Sequence, residues 1–179
     1  MVELGSSLIA FSDDVAELVE RAASSIVAVH GGERWPSSGI HWRSGVIVTA
    51  EEVLERDDNI KLTLPGGRVA DASLAGRDPT TDVAVLRFQP DGLPVATTAE
   101  APLRTGHVVV AVGNHDGAPL AALGIVAFAG GAWHSLRGGT IDSLIRLDLG
   151  LSPAAEGGAL VDLQGSVVGM AVLGPRRRA

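Results

Sequence analysis

Apolar and polar residues alternate in short runs along most of this chain, and only near the start does the spacing become helical. Between Ser12 and Ala23, the apolar positions Val15, Leu18, Val19 and Ala22 recur every three to four residues. With Ser12 placed as N-cap and Asp13 and Asp14 beside the positive end of the helix, this segment predicts a short amphipathic helix. The runs that follow are strand-like: Ser25 to His30, Ile40 to Trp42, Val46 to Thr49, Ile60 to Leu64, Val69 to Ala75 and Val83 to Phe88. Pro65-Gly66-Gly67 reads as a hairpin turn between two of them. A stretch rich in Pro, Ala and Thr from Pro90 to Thr105 then interrupts the rhythm and predicts a connection between two halves. A second set of strands is expected at His107 to Val112, Leu120 to Ala129, Ser143 to Leu149, Ala159 to Val161 and Val167 to Leu173. Few helices and many short strands predict an all-β chain, a sandwich or a pair of barrels, and periodicity alone does not choose between them.

Composition narrows the functional classes. The chain has 179 residues, 46% of them apolar, enough for one sizeable domain with a buried core. A net charge of −7 lacks the basic footprint that nucleic-acid binding requires, and the Arg176-Arg177-Arg178 run reads as an exposed tail. No cysteine is present, which removes disulfides, thiolate metal sites and thiol catalysis together. No apolar run reaches the length of a membrane span, and the first residues lack the pattern of a signal peptide, so the compartment stays open.

Three segments carry candidate chemistry. The first is Ser38-Gly39-Ile40 followed by Gly45-Val46-Ile47-Val48-Thr49-Ala50-Glu51-Glu52-Val53; the second is Gly76-Arg77-Asp78-Pro79-Thr80-Thr81-Asp82-Val83-Ala84-Val85-Leu86; the third is Ser152-Pro153-Ala154-Ala155-Glu156-Gly157-Gly158-Ala159-Leu160. Their order and spacing resemble those of trypsin-like serine proteases of the bacterial HtrA type. That family has its general-base histidine where this chain has Glu52, its aspartate at Asp82 and its nucleophilic serine where this chain has Glu156. Gly106 to Gly117 and Gly165 to Met170 extend the likeness over almost the whole chain, with His115 replacing a proline of the family's loop.

The resemblance implies a chymotrypsin-like fold: two six-stranded antiparallel β-barrels with a short N-terminal helix, the last strand of the second barrel expected to be missing. It implies one protease-type domain over residues 1–179, with a first lobe over 23–89, a linker over 90–105 and a second lobe over 106–174. It also implies a natural chain that continues into a PDZ domain, a location outside the cytoplasm, and a homotrimer built through the N-terminal segment, for which Phe11 is the expected contact. The partner implied is a peptide or protein, with no cofactor and no metal. Ala154, Ala155, Gly157, Gly158 and His115 are the expected binding residues.

Two glutamates change the chemistry of that site. In a working triad, serine gives its proton to a neutral imidazole held in the right tautomer by aspartate. A glutamate carboxylate titrates near ~4.3 and is a poor nucleophile toward an amide. Loss of serine or histidine in subtilisin costs on the order of 10⁶ in kcat, and loss of both costs little more. Ala154 stands where the family's oxyanion loop has glycine, and its Cβ works against the backbone shape that aims two amides at an oxyanion. The expected outcome is an inactive protease homologue that binds, scaffolds or regulates.

Other readings of the same residues stand open at this stage. Thr49-Ala50-Glu51-Glu52 has the spacing of a capping box, in which Glu52 returns a hydrogen bond to a helix start. Asp82 reads equally as a structural acceptor, and Glu156 as a partner for an arginine or a solvent-facing side chain. The rival functional class is a divergent hydrolase, or a cation site, built on the carboxylates Glu52, Asp82 and Glu156, which could not all ionise at close range without a compensating group. None of the five histidines has metal-ligand spacing, and Ser152, the nearest serine to position 156, belongs to the loop's approach.

Overall fold

The computed structural model describes residues 2–32, 35–90, 92–99, 101–135 and 137–173, with side chains from residue 5 onward; the arginine run at 176–178 lies outside this set. The chain opens with helix α1, Val2–Ala23. Ser12 is therefore a mid-helix residue and not the N-cap. Leu8 and Phe11 extend the spacing of Val15, Leu18 and Ala22 upstream, and an interior serine costs a helix little. Residues 5–14 of α1 are exposed, Leu8 and Ile9 at about two-thirds, while Leu18, Ala22 and Ala23 are buried. The hydroxyls of Ser24 and Ser25 end the helix by donating to the carbonyls of Arg21 and Ala22 at 2.6 and 3.0 Å.

Six strands follow: β1 Ile26–His30, β2 Ser37–Arg43, β3 Val46–Thr49, β4 Ile60–Thr63, β5 Val69–Asp78 and β6 Val83–Phe88. They close into an antiparallel barrel in the order β1-β2-β3-β6-β5-β4, so no edge is left to pair with another chain. Val27, Val29, Ile47, Ile60, Leu62, Ala84 and Leu86 fill its interior, and along β1, β4 and β6 they fall on alternate residues, as the two-residue period of a strand requires. Leu64 and Arg68 close the β4–β5 hairpin around Pro65-Gly66-Gly67, with the Leu64 amide on the Arg68 carbonyl at 2.7 Å.

The second half contains β7 Val108–His115, β8 Ala118–Ala129, β9 Trp133–His134, β10 Thr140–Ile141, β11 Ile145–Asp148, β12 Ala159–Val161 and β13 Val167–Met170. Five of these form a curled half-barrel in the order β11-β8-β7-β12-β13. Among the described residues this sheet is not closed, so of the two six-stranded barrels expected, the first is complete and the second is open. The β9–β10 pair was not anticipated; Gly130-Gly131 and Gly138-Gly139 around it read as loop, and the two strands pair only with each other.

One cluster knits the parts together. Leu18, Ala22 and Ala23 of the helix, Ile26 and Ile40 of the barrel, and Val110, Val112, Ala159, Val161 and Val167 of the half-barrel share a single buried core. Burial of this kind is worth about 25 cal/mol per Å² of apolar surface, which fixes the two halves against each other. The segment between them is also pinned: His41 is fully buried, its Nδ1 lies 2.7 Å from the Pro94 carbonyl, and its Nε2 accepts the Gly45 amide at 3.2 Å. Thr98 bridges Val167 in parallel.

Candidate functional site

The turn from Asp78 to Asp82 joins β5 to β6 and presents Asp82 in the left-handed region, φ +58°. Asp78 organises the turn by accepting the hydroxyls of Thr80 and Thr81 at 2.6 and 2.7 Å, bonds that hold its carboxyl below the usual value. Asp82 accepts the Glu52 amide on Oδ1 at 2.9 Å, and its own carbonyl takes the Glu51 amide at 3.3 Å. Partial burial pushes the Asp82 carboxyl up; the Glu52 amide opposes that rise, and the nearby charges of Glu52 and Glu51 add to it.

Glu51–Val53 is a one-turn 3-10 helix with Ala50 at its N-cap and no side-chain cap of its own. The capping box is thus not formed. The Thr49 hydroxyl lies on β3 and donates to the Ser38 carbonyl at 2.6 Å, and Asp82 supplies from across the turn the acceptor that Thr49 would have given. The Glu52 carboxylate instead meets Arg137 at 3.1 Å, while Glu51 meets Arg77 at 2.6 Å. Sequence reasoning assigned no role to either arginine. Arg77 lay within a quoted motif, but Arg137 sits in a glycine-rich loop that carried no signal.

Glu156 follows a second one-turn 3-10 helix, Pro153–Ala155. It is 3% exposed, which rules out the solvent-facing alternative, and its Oε1 accepts the Leu173 amide at 3.3 Å. Ala154, Ala155, Gly157 and Gly158 around it are all buried. Four successive amides in this loop are bonded to carbonyls of the chain, three within the loop, Ala155 to Ser152 at 2.9 Å, Glu156 to Pro153 at 3.2 Å and Gly158 to Ala155 at 3.0 Å, and one outside it, Gly157 to Ala171 at 2.8 Å. The Glu156 amide is therefore turned back into the loop. Gly157 has φ +81°, and a Cβ there would stand 2.3 Å from the Ser38 carbonyl, so only glycine fits.

The three carboxylates thus hold separate partners, and among the described residues no group of three His, Asp or Glu side chains is arranged to bind a metal ion. His115 ends β7, with a buried Nδ1 that has no hydrogen-bond partner. No serine hydroxyl bonds a histidine ring among the described residues. His30 does meet a hydroxyl, that of Thr63, at 2.8 Å, but Asp116 approaches the same ring nitrogen at 3.8 Å. A triad needs its carboxylate on the opposite nitrogen.

The profile of the trypsin-like peptidase domain matches residues 37–170, a span that contains both one-turn helices, the Asp82 turn and every strand of the two sheets except β1. The chain belongs to the trypsin-like peptidase domain family. It is 34% identical over 136 residues to the periplasmic serine endoprotease DegP of Escherichia coli (strain K12), a match covering 73% of this chain and 28% of that protein. It is likewise 34% identical over 141 residues to the periplasmic pH-dependent serine endoprotease DegQ of the same organism, covering 76% of this chain and 30% of DegQ. This trypsin-like domain therefore spans less than a third of the length of these HtrA/DegP relatives. Among solved structures, Deg5 superposes with a TM-score of 0.79 at 25% identity, covering 91% of this chain and 86% of Deg5. The serine endoprotease from Yersinia pestis superposes with a TM-score of 0.74 at 27% identity, covering 88% of this chain and 57% of that one.

Proposed function

We propose that this trypsin-like domain is a proteolytically inactive HtrA homologue that serves as a peptide- or protein-binding, scaffold or regulatory domain. One observation carries the reading. At the position the resemblance gives to the nucleophile stands a buried glutamate, its carboxylate on the Leu173 amide and its own amide on the Pro153 carbonyl. Neither a hydroxyl to attack a carbonyl nor a free amide at 156 to hold the resulting oxyanion is at hand. At the general-base position, Glu52 is engaged by Arg137 and has no serine to activate. Asp82 keeps the part of the aspartate's work that does not depend on histidine, holding the backbone of residue 52.

The binding role follows from what is retained. The barrel and the half-barrel still pack against each other, and β13 ends the half-barrel sheet, its outer side paired at Val167 by residues 97–99 and the rest of that edge offered to an extended peptide by strand addition. The exposed first half of α1, with Leu8, Ile9 and Phe11 open to solvent, supports a homo-oligomer of the trimeric kind implied by the resemblance. The test is binding without cleavage: fluorescein-labelled, unfolded β-casein should raise its anisotropy on titration with the domain and remain full-length on a gel after overnight incubation. Casein that neither binds nor is cut removes the peptide-binding role, and casein that is cut removes the inactive one.

A further inference from the structure

The outer wall of the barrel, away from the Asp82 turn, carries cations that the candidate site does not use. Val46 of β3 pairs with Arg43 of β2 on one side and with Arg87 of β6 on the other, and Arg87 pairs in turn with Ser73 of β5. Directly opposed residues of antiparallel strands share a face, so Arg43, Val46, Arg87 and Ser73 stand in one row across four strands. Leu86 and Phe88, on either side of Arg87, belong to the barrel core, which puts this row on the outside. Two strand spacings, about 10 Å, separate the arginines. Both are exposed, and among the described residues neither guanidinium makes a hydrogen bond or an ion pair.

A cavity of about 520 Å³ adjoins the row, lined by Ser44, Gly45, Asp71, Ser73, Arg87 and Gln89 among others. The Gly45 carbonyl accepts the Phe88 amide at 3.1 Å, which holds the β2–β3 turn against the end of β6. A second cavity, of about 400 Å³, shares Gln89 and is lined also by Leu64, Arg68 and the exposed Val69. The charged lining of the two is Arg68, Arg87 and Asp71, and Asp71 is taken by Lys61 at 2.8 Å. On a chain of net charge −7, this described surface is locally positive. β5 is paired by β4 and β6 on its two sides, so a ligand here cannot add as a strand and must be recognised through side chains.

We propose that this wall is a binding site for an extended acidic peptide segment, separate from the Glu52 and Asp82 site. β6 starts beside Asp82 and ends at Phe88, about 17 Å further along. Alternate side chains of an extended peptide project from one face about 7 Å apart. Two carboxylates spaced acid-x-acid therefore come within reach of Arg43 and Arg87, whose long stems span the difference. Each guanidinium takes a carboxylate through two parallel hydrogen bonds, a geometry that an ammonium cannot copy.

Fluorescence anisotropy of the rhodamine-labelled peptide Ser-Glu-Val-Glu-Val-Glu-Ser tests it, with a version carrying glutamine for glutamate as the control. The acidic peptide should bind saturably and roughly tenfold more tightly than the glutamine peptide, and 0.5 M NaCl should remove most of that difference. Arg43→Glu and Arg87→Glu should each weaken its binding roughly tenfold. Arg146→Glu makes the same charge change at an exposed position of β11 in the half-barrel and should leave binding within about twofold. Absence of saturable binding, equal affinity for the two peptides, or equal losses from Arg87→Glu and Arg146→Glu would each overturn the site. The comparison of the two peptides needs only the wild type and decides even if a variant does not fold. None of these outcomes depends on whether residue 156 is catalytic, which casein cleavage judges separately.

Discussion

Asp82 separates a structural account of this site from a catalytic one, because its side chain has two measurable duties and its charge has none. The carboxylate oxygen accepts the Glu52 amide at 2.9 Å, and the backbone sits at φ +58°. Asn keeps an acceptor oxygen and tolerates the left-handed region, so Asp82→Asn should leave stability within about 0.5 kcal/mol of wild type. Gly tolerates the backbone but loses the acceptor, a loss of the size of a helix cap, about 1 kcal/mol. Ala loses the acceptor and adds the left-handed penalty of about 1 kcal/mol, so Asp82→Ala should cost about 2 kcal/mol. The pH dependence has a definite sign. Burial raises the folded-state pKa above the ordinary 3.8, so the folded protein binds more protons than the unfolded chain between the two values. The contribution of Asp82 to stability then falls as pH rises through that window, and the comparison of Asp82→Asn with wild type should move in favour of Asn from pH 3.5 upward and level off. Urea unfolding at pH 3.5, 5 and 7 measures this. Asp82→Asn costing as much as Asp82→Ala at pH 7 would refute the reasoning, because the charge itself would then be required.

Gly157→Ala meets both a left-handed backbone and the Ser38 carbonyl 2.3 Å from the new Cβ, so thermal unfolding should show a loss of about 3 kcal/mol or an insoluble product. His41→Leu leaves the Gly45 amide and the Pro94 carbonyl without their buried partner and should cost about 2 to 4 kcal/mol by urea unfolding, although leucine is no less apolar than the site. The pair Glu52→His with Glu156→Ser should not restore peptidase activity in a casein assay, because the amide of residue 156 remains bonded to Pro153; adding Ala154→Gly should be needed before any turnover appears.

Much of this architecture was legible because strands announce themselves by alternation. Val46–Thr49, Val83–Phe88 and Ala159–Val161 have the bounds that their apolar runs predict. The helix start was misread at Ser12, since a good N-cap residue says where a helix can begin and not that it does; Leu8 and Phe11 continued the stripe and outweighed it. At the candidate site the contacts were not legible. Sequence order singled out Glu52, Asp82 and Glu156, but not the bond from the Glu52 amide to Asp82, which joins the ends of the adjacent strands β3 and β6 thirty residues apart in sequence. The capping box failed for the same reason: Thr49 stays on β3, its hydroxyl donating to the Ser38 carbonyl eleven residues away in sequence and on the adjacent strand, and the Glu52 amide that it would have accepted goes to Asp82. Arg137 was beyond reach altogether, because nothing local distinguishes an arginine that will cross between two halves from one that will face water.

The central claim is the absence of catalysis at residue 156, and one measurement addresses it most directly. The purified domain is incubated with fluorogenic casein beside Glu156→Ala and a buffer blank, with an active trypsin-like protease as the positive control. Wild type and Glu156→Ala should both give the same signal as buffer over a day. Cleavage by the wild type that vanishes in Glu156→Ala would contradict it.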